Sequence, residues 1–126
     1  MRAMVVDDSK AMRMILKRLL TDCGYEDLVE AGDGQSALDL VSGLSAAEQP
    51  ELILVDWNMP IMNGLEFVEA MRAQPRFRQT VLVMITTETA IERIQQALEA
   101  GADEYMMKPF TKEVLLEKLE LIKSGM

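Results

Sequence analysis

LILVDWNMPIMNG, residues 52–64, is the stretch on which the fold turns. Leu52 to Val55 is continuously apolar and offers no polar face. A strand of that kind is covered on both sides, as in a parallel sheet. The run stops at a carboxylate, Asp56. Pro60 and Asn63-Gly64 then mark a loop, and Leu65, Val68 and Met71 begin a helical spacing that carries them inward.

The same syntax recurs on either side. Ala3 to Val6 is an apolar run that ends on two acids, Asp7 and Asp8. Met12, Ile15, Leu16, Leu19 and Leu20 follow at helical spacing until Gly24 stops them. Asp27 to Ala31 reads as a shorter strand closed by the turn AGDG, and Ala37, Leu38 and Val41 as a helix. SAAEQPE is a polar connection. TVLVMIT is a buried strand, Ile91, Ile94 and Leu98 stripe the next helix, which stops at Gly101, and Glu104 to Met107 is a brief strand broken at Lys108-Pro109. Leu115, Leu119 and Ile122 line a last helix. Five strands thus alternate with five helices, without repeat or linker. Right-handed crossovers predict an α/β doubly wound parallel sheet, flavodoxin-like, in strand order 2-1-3-4-5. One domain spanning residues 1–126 is expected.

Composition narrows the chemistry. The chain has 126 residues, 49% hydrophobic and 27% charged, with net charge −8. That charge repels nucleic acid and anionic membrane surfaces, so neither is expected as a partner. Histidine is absent, which excludes imidazole-based triads and imidazole-ligated metals. The single cysteine, Cys23, allows no internal disulfide and reads as a buried apolar thiol at a helix end. No apolar stretch approaches the roughly 20 residues of a membrane span, and a cytoplasmic location is expected.

In a doubly wound sheet, ligands sit outside the carboxyl ends of the strands. Those ends carry Asp7 and Asp8, Asp56, Thr86, and Lys108. Three carboxylates with neither histidine nor thiolate make a hard-oxygen site suited to Mg²⁺. The ion would remove the repulsion between the paired acids. Asp8 and Asp56 are expected as direct ligands, Asp7 through a metal-bound water, and Asn58 through its backbone carbonyl. Asp56, on the central strand, is placed to attack phosphorus and become an acyl phosphate. Lys108 would neutralise the transferred group and Thr86 would hydrogen-bond to it.

Each residue alone has a plainer use. Asp7 and Asp8 suit a helix N-terminus, worth about 0.3–1 kcal/mol. Thr86 suits a strand, and Lys108 a solvated surface. Tyr105 fits packing and switching equally. Asn58 and Glu88, flanking the pocket, suit either surface polarity or steering of the water that hydrolyses the phosphate. Trp57 reads as a partly exposed packing residue, and Met106 and Met107 as neighbours of a partner face.

VVDDS, VDWNMPIMNG, MIT and KPF resemble, in order and spacing, the receiver domains of two-component response regulators, over essentially the whole chain. Within that family DWNMP, MITTET, Tyr105 before MMKPF and the ending LEKLELIKSGM are most similar to the stand-alone, CheY-like chemotaxis regulators. The resemblance implies that Asp56 accepts phosphate from a phosphohistidine on a histidine kinase. Asp7 and Asp8 would bind magnesium and Lys108 would pair with the phosphoryl group. Thr86 would swing toward the phosphate and Tyr105 would rotate inward behind it. Lys108-Pro109 would match the family's cis peptide. The altered face, built from the fourth helix, fifth strand and fifth helix, would bind a protein such as the flagellar motor switch. The chain would act as a monomeric signalling switch, catalysing only its own phosphorylation and dephosphorylation. Two other functions compete: a phosphate sink or relay intermediate without motor binding, and a magnesium phosphohydrolase acting on small molecules. Two positions depart from the chemotaxis pattern. Thr87 replaces a small alanine beside the phosphate, and Ser9 replaces a phenylalanine on the partner surface.

Overall fold

Strand β1 (Arg2–Val6) lies at the inside of a five-stranded parallel sheet, ordered β2-β1-β3-β4-β5. The other strands are β2 (Asp27–Ala31), β3 (Leu52–Asp56), β4 (Val81–Thr86) and β5 (Glu104–Met107). Helices α1 (Lys10–Asp22), α2 (Gly34–Ser42), α3 (Gly64–Arg72), α4 (Ile91–Ala100) and α5 (Lys112–Ser124) connect or follow them. This computed structural model describes residues 1–87, 91–108 and 110–124, with the side chains of residues 123 and 124 left aside. Glu88 and the Lys108-Pro109 peptide therefore lie outside the described residues. The strand order is the one predicted. Among the described residues no helix is long and apolar enough to cross a membrane.

The alternation of strand side chains divides the core in two. Met4, Val6, Ile53, Val55, Leu82 and Met84 face the layer that includes Ala37, Val41, Phe67, Val68 and Ala97. Ala3, Val5, Leu52, Leu54, Val83 and Ile85 face the layer of Leu16, Leu20 and Leu115. All of these are buried. Both faces of β1, β3 and β4 are thus apolar, which is why their runs are unbroken.

That alternation also aims the strand ends. Asp7, Asp56 and Lys108 continue the series of Val5, Leu54 and Met106, toward the α1 and α5 layer. Thr86 and Trp57 continue the series of Met84 and Val55, toward the other layer. Val6 is in register with Val55, so the next step brings Asp7 beside Asp56.

Local capping is written into the sequence. The Asn63 side chain accepts from the Glu66 amide at 2.8 Å while Glu66 accepts from the Asn63 amide at 3.0 Å, a reciprocal capping box that starts α3. At the far end of α3, Arg72 donates to the carbonyls of Gly101, Phe77 and Thr80, each within 2.9 Å, and pairs with Asp103 at 2.9 Å. One guanidinium so fastens the entry of β4 to the turn before β5.

Three readings need correction. Ile91 and Leu98 are 70% and 42% exposed, and within α4 only Ala97 is buried. The helix leans on α3 and β5 at the rim of the sheet, where a methyl side chain suffices to fill the contact. Trp57 is buried, not partly exposed, because its ring points into the core layer. Met106 is buried as well, leaving Met107 as the exposed member of that pair. Cys23 caps the end of α1, half-buried against the second core layer, and burial pushes its thiol pKa up.

Candidate functional site

At the carboxyl ends of β1 and β3, one oxygen from each of Asp7, Asp8 and Asp56 lies within 4.8 Å of the others. Asp7 and Asp56 are buried and Asp8 is exposed. Lys108, just beyond β5, extends its ammonium to 3.2 Å from Asp7 Oδ2 and 3.3 Å from Asp56 Oδ1. Sequence reasoning expected all four residues in one pocket, and the fold brings them together.

Each acid is held by its surroundings. The Ser9 amide donates to Asp7 Oδ1 at 2.9 Å, and the Ser9 hydroxyl accepts from the Met12 amide at 3.2 Å as the N-cap of α1. The cap of α1 is therefore Ser9, and the two acids before it are left for the pocket. Arg13 donates to the Asp7 carbonyl at 2.7 Å while pairing with Glu30 of β2 at 2.8 Å. Asp56 is held from behind. A Cβ on Gly64 would stand 2.2 Å from the Asp56 carbonyl oxygen, so only glycine lets α3 start this close. Neither Ser9, Arg13 nor Gly64 was read as a positioning residue from sequence. The N-cap preference for serine is the one available signal; the approach of Arg13 to the Asp7 carbonyl and of Gly64 to the Asp56 carbonyl depends on how each helix packs back on the strand before it.

Burial pushes the Asp56 carboxyl pKa up. The Lys108 charge opposes that push, and the Asp7 and Asp8 charges add to it. Three carboxylates cluster here and the one ammonium reaches two of them, Asp7 and Asp56, so the cluster is short of positive charge. Its donors are hard oxygens, and a divalent ion such as Mg²⁺ fits both the charge deficit and the donor type.

Asn58 is exposed and shares with Asp8 and Trp57 an open cleft of about 560 Å³. Thr86 is buried at the end of β4, and its carbonyl accepts from the Lys108 amide at 2.9 Å. Thr87 is exposed and lines two grooves that Lys108 also lines, whereas the cleft that holds Asp8 and Asn58 is lined by other residues. Tyr105 is half-buried on the same side of the sheet as Thr86. The Lys118 ammonium lies 4.7 Å above the Tyr105 ring and 3.3 Å from Glu104. Tyr105 is not part of the acidic pocket; it lines a groove with Thr87 and Val114.

Residues 3–120 match the response regulator receiver domain profile. The chain is 45% identical to the chemotaxis protein CheY1 of Helicobacter pylori over 122 residues, covering 97% of this chain and 96% of that one. It is 45% identical to a CheY homologue of Campylobacter jejuni over 120 residues, covering 95% of this chain and 90% of the relative. Among solved structures, the chemotaxis response regulator CheY4 of Vibrio cholerae superposes with a TM-score of 0.84 at 36% identity, over 96% of this chain and 97% of that one. An acidic pocket at the ends of β1 and β3, with a lysine reaching it from β5, thus sits in a chain that belongs to the receiver domains of two-component response regulators, in their CheY-type chemotaxis branch.

Proposed function

We propose that this chain is a single receiver domain that accepts a phosphoryl group on Asp56 from a histidine kinase and signals through a changed protein surface. The observation that carries this reading is the pocket itself. Three carboxylate oxygens lie within 4.8 Å of one another, with one ammonium bridging Asp7 and Asp56. Asp7, Asp8, Asp56 and the Asn58 backbone carbonyl would hold Mg²⁺. That ion, when bound, neutralises charge on the transferring group.

The protein's own residues do the remaining work. A carboxylate oxygen of Asp56 attacks phosphorus, the P–N bond to the kinase histidine breaks, and its electron pair stays on the imidazole. Lys108 already pairs with Asp56 and follows the phosphoryl oxygens. Thr86 turns its hydroxyl toward the new acceptor group, and Tyr105 rotates into the space behind it. Asn58 and Glu88 steer the water that later hydrolyses the acyl phosphate. Phosphorylation replaces a charge of −1 with one of about −1.5 to −2 and adds strong acceptors. The change is read on the face of α4, β5 and α5, where Ile91, Leu98, Met107 and Val114 are exposed.

The partner expected on that face is a flagellar motor switch protein. The chain works as a soluble cytoplasmic monomer, a switch that catalyses only the phosphorylation and dephosphorylation of its own Asp56. Trp57 adjoins Asp56 and reports on it. Mg²⁺ should quench its fluorescence, acetyl phosphate should change it further, and both responses should vanish in Asp56→Asn. A flat response in the intact protein would remove the phosphoryl-acceptor reading. Phosphorylated protein should then bind a motor-switch peptide; rapid return of phosphate to the kinase without peptide binding would make it a sink or relay instead.

A further inference from the structure

We infer that Arg93 is a recognition residue for the anionic phosphoryl group of the donor, a role that rests on the phosphoryl-acceptor reading above. Three observations converge on it. The Arg93 guanidinium stands 5.3 Å over the centroid of the Trp57 ring. Trp57 is buried, and its backbone is fastened on both sides: its amide donates to Ile85 at 3.1 Å, and its carbonyl accepts from Gly64 at 2.9 Å. An arginine stacked on so fixed a ring is itself positioned, although it lies on the exposed face of α4.

Arg93 also opens onto the right space. It shares the cleft of about 560 Å³ with Asp8 and Asn58, and among the described residues no other cationic side chain lines that cleft. Lys108 pairs instead with the buried oxygens of Asp7 and Asp56. Among the described residues no carboxylate lies within 4.0 Å of Arg93. The guanidinium thus lines the cleft with, among the described residues, no internal ion pair to neutralise its charge.

Electrostatics makes such a group useful. A phosphoryl donor is anionic, and the chain carries a net charge of −8 with three carboxylates at the acceptor. Diffusion into the cleft is opposed by that field. A guanidinium at the mouth, off the metal cluster, lowers the local repulsion and matches phosphoryl oxygens in geometry. Lys108 acts after the group arrives; Arg93 acts on its approach.

The test follows the rate of label transfer from ³²P-acetyl phosphate to the full chain at saturating Mg²⁺, across ionic strength. Arg93, Arg93→Lys, Arg93→Gln and Arg93→Glu are compared, with Asp56→Asn as control. At low salt each unit of charge removed should slow labelling by about fivefold, and the four proteins should converge at high salt. Arg93→Lys should fall least. Thermal midpoints should change little, since the residue is exposed. A parallel arm with a phosphohistidine domain separates the donors: slowing with both assigns Arg93 to the phosphoryl group itself, and slowing with acetyl phosphate alone assigns it to small donors. Equal rates at low salt, or a slowing that is the same for Lys and Glu and indifferent to salt, would overturn the inference. Wild-type protein that takes up no more label than Asp56→Asn would instead overturn the phosphoryl-acceptor reading beneath it.

Discussion

The Lys108 ammonium lies 3.3 Å from Asp56 Oδ1, joining the ends of β5 and β3 across the intervening β4. Both side chains are largely shielded, at 17% and 10% exposure, and the same ammonium also meets Asp7. Removing it leaves two buried carboxylates without a cation. Lys108→Met should lower stability at neutral pH by about 1–3 kcal/mol, less than for a fully buried pair. Adding Mg²⁺ should recover part of the loss, because an ion that binds only the folded state stabilises it. Urea unfolding with and without MgCl₂ measures both; an unchanged midpoint without metal would refute the shared-cation account.

Gly64 should tolerate no side chain. Its hypothetical Cβ meets the Asp56 carbonyl at 2.2 Å and the Met84 sulfur at 3.0 Å, so something in the backbone must yield. Gly64→Ala is expected to cost about 2 kcal/mol and to weaken Mg²⁺ binding by displacing Asp56. Unfolding curves and a Trp57-monitored Mg²⁺ titration would show the two losses together.

Ile61 is the reverse case. It is the one described non-glycine residue at positive φ, 69°, and its side chain is 81% exposed. The Met62 amide donates to the Pro60 carbonyl at 2.7 Å, closing a tight γ-turn around it. A β-branched residue is strained there and recovers nothing by burial. Ile61→Gly should raise stability by about 1 kcal/mol, since glycine adopts a positive φ with no Cβ to clash. Thermal unfolding decides it; a lower midpoint would place an unrecognised contact on the isoleucine.

Glu30 sets a pH dependence. Hydrogen bonds from Lys17 and then Arg13 hold its carboxyl below its ordinary value of 4.5. A depressed acid stabilises the fold above its unfolded pKa and loses that contribution as pH falls through the folded one. The side chain is 38% exposed, so solvent screening limits the effect to about 0.5 kcal/mol. Glu30→Gln should therefore be slightly less stable than wild type at pH 7, and the gap should close well below pH 4.5. Urea titrations at the two pH values provide the comparison.

Legibility from sequence followed the range of the interactions. Strand and helix spacing is a local property, and β2 (Asp27–Ala31) and β5 (Glu104–Met107) appear where their residues placed them. The α4 stripe misled because Ile91 and Leu98 have helical spacing but no layer to cover them. Trp57 misled in the other sense: a ring beside acids looked half-solvated, yet strand alternation turns it into the core.

Sequence alone determined which side chains stand at the strand ends, because an unbroken apolar run marks the length of strand covered on both faces and the first polar residue marks where that cover ends. It also determined the donor type at those ends, since carboxylates are what Asp7, Asp8 and Asp56 offer there. Tertiary structure alone decided how those ends are held and approached: the Ser9 amide on Asp7, the Asp56 carbonyl against Gly64, and Arg93 laid over Trp57. Those contacts depend on how closely separate elements approach, a matter of ångströms set by packing of the whole sheet and its helices. No spacing along the chain encodes it.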